Sequence, residues 1–196
     1  MPYFKKFLFP LISFFILVLT LGFVPASNPS DEPAFVKEFV GQMDYVEGQL
    51  TQLAEAMPED SYGWSPGEGV RSVGQIYLHV AFGNYGFVTM SGGKVPEDIG
   101  YVPDPSKINE WDTQTTDKTE IIAIMKRSFD VLRETAKNFS QDDLDNKEIE
   151  FFGWKFSLRN FLVTGIAHCH EHLGQGIAYA RMNGVTPPWS KKESEG

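Results

Sequence analysis

The sequence predicts an all-α protein: a four-helix bundle with a long loop between its second and third helices and a short hairpin before the fourth. Four long segments repeat apolar residues at three- and four-residue steps, the period of one buried helix face. Proline falls between these segments and never inside them, so each can run unbroken. Strand-like alternation is confined to KEIEFFGWKF (147–156), which turns about a glycine.

The chain begins with MPYFKKFLFPLISFFILVLTLGFVPAS. Lys5 and Lys6 form a basic start, Phe7 to Val24 is an apolar run without charge, and Val24-Pro25-Ala26 offers small residues for a signal-peptidase cut. Residues 1–26 are read as a signal peptide cleaved after Ala26, which places the working domain in the periplasm or outside the cell. The run is also near the lower length of a spanning helix, so a retained anchor facing away from the cytoplasm is the alternative. No cysteine follows to carry a lipid.

Residues 27–33, SNPSDEP, form a polar leader, and 34–188 the folded domain. In the first helix, Ala34 to Met57, Phe35, Phe39, Met43, Val46, Leu50 and Leu53 share a face, and Pro58 ends it. Residues 58–70 hold turn residues throughout, with Tyr62 and Trp64 suited to packing over the end of the bundle. Ser72-Val73-Gly74-Gln75 reads as a capping box, opening a second helix to about Met90 with Val73, Ile76, Tyr77, Val80 and Phe87 apolar. Residues 91–116, with Gly92-Gly93, Pro96, Gly100, Pro103 and Pro105, read as the long loop or lid. Asp117 and Glu120 start a third helix carrying Ile121, Ile124, Met125, Phe129 and Leu132 to about Asn138. QDDLDN (141–146) reads as a solvated connection. Its aspartates lack the glycine and distal glutamate of a calcium loop. The fourth helix runs from Ser157 to Asn183-Gly184, a stop signal, and residues 189–196 are a tail.

Composition narrows the function. The formal charge of −9 becomes −11 once residues 1–26 are removed, so the domain lacks the basic footprint of a nucleic-acid binder and is repelled by anionic lipid. Contact with a membrane is left to the N-terminal segment alone. The single cysteine, Cys169, has no internal disulfide partner and reads as a small buried hydrophobe.

The fourth helix bears the chemistry. Phe161, Leu162, Gly165, Ile166, Cys169, Leu173, Gly176, Ile177 and Ala180 mark its buried face, with His168 and His172 on or beside it. Residues four apart lie one above the other, about 6 Å along the axis, so the two imidazoles can close on one metal ion at about 2.0–2.1 Å per nitrogen. His170 lies about 200° round the helix from His168 and points elsewhere, and Glu171 reads as solvated. A third ligand must come from another segment. Helical bundles build metal sites from facing helices, and His79, in the middle of the second helix, is so arranged. Tyr77, Phe82, Tyr85 and Phe87 read as core or pocket wall.

These residues resemble the DinB / YfiT-like family of small helical-bundle proteins. The likeness spans about Phe35 to Pro188 and rests on LAEAMPEDSYGWSP, RSVGQIYLHVAFGN, FFGWKFSLRNFL and HCHEHLGQGIAYARMNGVTPP. The family's pattern of one histidine in the second helix and an HxxxH pair before Gly-Gln in the fourth falls on His79, His168 and His172, then Gly174-Gln175. Where relatives often read HHRGQ, this chain reads EHLGQ, with Glu171 and Leu173 in place of a histidine and an arginine. The resemblance implies a divalent metal, zinc or nickel, held by those three histidines, and metal-dependent hydrolysis or thiol-dependent transfer acting on a small molecule. A divalent ion on three neutral imidazoles keeps its charge and acidifies water, to about pKa 7 in the best-known zinc case. Gln175 is a candidate to orient a ligating imidazole, or it makes an ordinary interhelical hydrogen bond. No catalytic acid or base is identified in the sequence. A non-catalytic metal or small-ligand binding module of the envelope is the alternative reading, and a bundle merely stabilised by its metal is a third. The sequence leaves monomer and homodimer open.

Overall fold

Helices begin where a short polar side chain can accept from the free amides of the first turn. The computed structural model describes residues 32–190, and four such starts are found among them. Ser72 and Ser140 form capping boxes with Gln75 and Asp143. Asp117 accepts from the Glu120 amide and Ser157 from that of Asn160. The chain is mostly helical, with a small two-stranded sheet. In order it forms α1 (Ala34–Ala56), α2 (Val73–Met90), α3 (Ile108–Asp112), α4 (Lys118–Lys137), α5 (Gln141–Asn146), β1 (Glu148–Phe151), β2 (Trp154–Ser157) and α6 (Leu158–Met182).

The four long helices pack with α2 against α4 and α6, and α1 against the same two. Their inward residues follow the periodicity of the sequence: Phe39, Met43, Val46, Leu50 and Leu53 from α1, Ile121, Met125, Phe129 and Leu132 from α4, and Phe161, Leu162, Cys169 and Leu173 from α6 are all buried. Phe35, Ile124, Ile166 and Ile177 sit at the margin of that core. Tyr62 is buried at the end of α1 and donates to the Ala54 carbonyl at 2.8 Å. Trp64 meets the Tyr179 ring edge-on.

Two segments differ from their sequence reading. The stretch expected as a long loop contains two 3-10 turns, Glu97–Ile99 and Pro105–Lys107, and then α3. Trp111 explains the order there: it is buried among Phe82, Tyr85 and Tyr101 and donates from its indole to the Leu78 carbonyl at 2.9 Å. QDDLDN is the short helix α5, formed because Ser140 caps it and Leu144 gives it a buried anchor. The two strands pair antiparallel, Phe151 opposite Trp154, through a turn in which Phe152 and Gly153 both have positive φ. That is the two-residue hairpin geometry favoured by strand twist. The tail begins with a 3-10 turn at Pro188–Ser190. The expected signal peptide, residues 1–26, most of the leader and residues 191–196 lie outside the described residues. Among the described residues, no helix is long and apolar enough to cross a membrane.

Candidate metal centre

The capping box at Ser72 sets where α2 begins, and His79 follows two turns in. α6 packs on α2 with His168 and His172 one turn apart. The three rings come together. One nitrogen from each lies within 4.8 Å of the other two, and His79 Nε2 stands 3.4 Å from His168 Nε2. Ring centroids are 4.6 Å apart for His79–His172 and for His168–His172, and 5.3 Å for His79–His168.

All three rings are held neutral. Burial pulls His79 down to about 3, with Arg71 and the other two histidines adding to the fall. Burial and His172 pull His168 down to about 4. Burial lowers His172 as well, opposed by its hydrogen bond with Gln175. A neutral imidazole has a lone pair to give.

The outer nitrogens have different surroundings. Gln175 Oε1 lies 3.0 Å from His172 Nδ1, and the Gln175 amide donates to the Tyr179 hydroxyl at 3.0 Å. The amide oxygen accepts, so the hydrogen sits on His172 Nδ1 and Nε2 is left for the centre. His79 Nδ1 and His168 Nδ1 are buried and lack a hydrogen-bond partner among the described residues, as does Asp112 Oδ1. Buried orphan groups are uncommon and cost about 1–3 kcal/mol each. Three together in one neighbourhood mark it as something other than an ordinary packed core. Converging neutral imidazoles with orphaned atoms behind them fit a divalent cation, which His79, His168 and His172 would hold.

Three further residues define the centre and were not singled out in the sequence. Asp112, at the end of α3, is buried, with its Oδ2 3.8 Å from His79 Nδ1 and accepting from Arg71 Nε at 2.7 Å. Because His79 is neutral, its approach to Asp112 is not an ion pair. Burial raises the Asp112 carboxyl above the usual carboxylate range, and Arg71 opposes that rise. Gly83, one turn past His79, lies against the His168 ring: a Cβ there would stand 2.3 Å from His168 Cε1. The only local hint of any of them was Arg71 standing just before the capping box.

Other expectations resolve simply. His170 points away from the other histidines as its place round the helix requires, partly buried with its ring centroid 6.3 Å from that of Tyr45. Glu171 is exposed. Tyr77, Tyr85 and Phe87 are core, and Phe82 is partly buried beside Trp111. Cys169 is fully buried beside Asn84 Oδ1 at 3.4 Å, and burial pushes its thiol up to about 12, so it is no nucleophile. A cavity of about 560 Å³ adjoins the centre, lined by Arg71, Gln75, Asn109, Asp112, Thr113 and Gln175. That cavity reaches the centre through Asp112 and Gln175, the partners of His79 and His172, and no histidine is in its lining; a roomier groove of about 780 Å³, with Lys94, Arg127 and Asn138 in its lining, shares no residue with the centre.

Known proteins share this fold. The DinB superfamily profile matches residues 42–175, which include all three histidines and Gln175. A crystal structure of a DinB-like protein from Bacillus cereus superimposes with a TM-score of 0.65 at 19% identity, covering 78% of this chain and 95% of that one. A DinB-like protein (YjoA) from Bacillus subtilis gives 0.57 at 19% identity, over 76% and 94%. At that identity the likeness is one of fold. No curated protein matches. With the profile covering most of its length and the same fold in both structures, the chain belongs to the DinB superfamily.

Proposed function

We propose that this protein is an exported, metal-dependent hydrolase or transferase, built as a four-helix bundle, whose three histidines His79, His168 and His172 hold zinc or nickel. The observation that carries the reading is the meeting of three neutral imidazoles beside a polar cavity. Bound there, a divalent cation supplies Lewis acidity toward an ester, amide or thiol group. The chain's own residues shape the rest. Gln175 fixes the hydrogen of His172 on its outer nitrogen. Arg71 presents a cation to the cavity, while Gln75, Asn109 and Thr113 offer neutral polar groups to orient a small substrate. The buried Phe87 ring packs edge-on beside His168, 6.0 Å between centroids.

Protein purified without an affinity tag should contain close to one equivalent of metal by elemental analysis, and His79→Ala should lose it. Unchanged metal in that variant removes the site. Turnover of a panel of esters, amides and thiol adducts, abolished in His172→Ala, separates an enzyme from a carrier that binds metal and turns nothing over. Export is supported by the basic start and apolar run of residues 5–24. N-terminal sequencing of mature protein should begin at Ser27, whereas an intact Met1 means a retained anchor.

A further inference from the structure

Each imidazole that gives one nitrogen to a metal leaves its other nitrogen to be held by the protein, and that second contact fixes the ring's tautomer and orientation. In this centre Gln175 serves His172. His79 has Asp112. His79 Nδ1 stands 3.8 Å from Asp112 Oδ2, longer than a hydrogen bond, and both that nitrogen and the carboxyl's other oxygen, Oδ1, are buried with no partner among the described residues. Asp112 is 4% exposed. It is fixed from two sides: Arg71 Nε donates to its Oδ2 at 2.7 Å, and the neighbouring Trp111 is pinned to the Leu78 carbonyl, one residue before His79. A shift of about 0.6 Å at either side chain brings the pair into hydrogen-bond range.

We propose that Asp112, steadied by Arg71, is the positioning residue for His79: it accepts the Nδ1 hydrogen and so commits Nε2 to the metal. This rests on the three-histidine reading and adds to it a carboxylate that the motif does not contain. Arg71 Nε donates to Asp112 Oδ2, the oxygen that faces His79, so that oxygen bears no hydrogen and can only accept. Its neighbour must therefore carry the hydrogen on Nδ1, leaving the lone pair on Nε2, the atom directed at His168 Nε2. The negative charge also offsets part of the cation's charge, which three neutral rings leave uncompensated. His168 Nδ1 has no corresponding acceptor among the described residues, so of the three ligands His79 is the one whose donor strength depends on a charged group.

The test is zinc affinity, by competition with a chromophoric chelator, together with long-range proton–nitrogen NMR of the zinc-loaded protein. Asp112→Ala should weaken zinc binding about 10–100-fold. Asp112→Asn, which keeps an accepting oxygen in the same shape, should fall between that variant and the unsubstituted protein. In the unsubstituted protein the NMR pattern should show His79 protonated at Nδ1, a readout that needs no substitution and that a merely structural role would not fix. Wild-type zinc affinity in Asp112→Ala, or a hydrogen on Nε2 of His79, overturns the proposal while leaving the three-histidine site standing. No zinc uptake by the unsubstituted protein overturns both.

Discussion

Gly83 shows how narrowly the metal centre is cut. It stands one turn beyond His79 on α2, and a Cβ at that position would lie 2.3 Å from His168 Cε1 and 2.9 Å from Nδ1. Both are well inside contact distance, and the ring they meet is held between helices. Gly83→Ala should favour the helix itself by about 0.5–1 kcal/mol while forcing His168 aside. The expected result is an unchanged far-ultraviolet spectrum with zinc affinity reduced at least tenfold, roughly the scale of disturbances around a metal ligand. Zinc affinity equal to the parent's would mean that His168 is not a ligand. The histidines themselves could be read from the chain, because a four-residue step stacks His168 over His172 and the family motif ties His79 to them. Asp112 and Gly83 could not. An aspartate in NEWDT looks like any surface acid until Trp111 pins α3 to α2. A glycine in a helix gives no sign that an imidazole is pressed against it.

At the level of elements, the start of α2 determines where His79 falls. Ser72 Oγ accepts from the Gln75 amide at 3.4 Å, and Gln75 Oε1 accepts from the Ser72 amide at 2.8 Å. The first bond is long and the second does not need the hydroxyl. Ser72→Ala should therefore cost about 0.5–1 kcal/mol, the lower part of the range for lost caps, as measured by urea unfolding. A cost above about 2 kcal/mol would show that the hydroxyl does more than cap. This box was legible because its residues are neighbours in sequence, and the same holds for the Asp117 start of α4 and for the Phe152-Gly153 turn. α3 and α5 were not legible. Each is too short to display a period, and what fixes each is one buried side chain, Trp111 or Leu144, whose partners lie far along the chain. The four long helices needed no such help, since twenty or so residues give several turns of repeating apolar face.

For the whole molecule, keeping three imidazoles neutral in the interior couples the centre to folding. His79 falls to about 3 and His168 to about 4, against 6.5 for a free side chain, and His172 is lowered too. Between pH 6.5 and about 4 the unfolded chain binds protons that the folded one refuses, so stability must rise with pH across that window and be fully present above 6.5. Asp98, Asp104, Asp143 and Asp145 are lowered below 3.8 by their hydrogen bonds. They act in the same direction, but at more acid pH, where their carboxyls take up protons. Asp112 is raised, so it favours the folded state as pH falls and partly offsets the histidines. Metal-free protein, kept with a chelator, should thus melt at progressively lower temperature from pH 6.5 to 4, and His79→Gln with His168→Gln should flatten that slope. Saturating zinc should raise the melting temperature across that window without steepening the slope, because the folded His79 and His168 that it binds are already neutral there. A metal-free slope that survives both substitutions would mean that other groups set the acid sensitivity and that the histidines are not the buried neutral set described here.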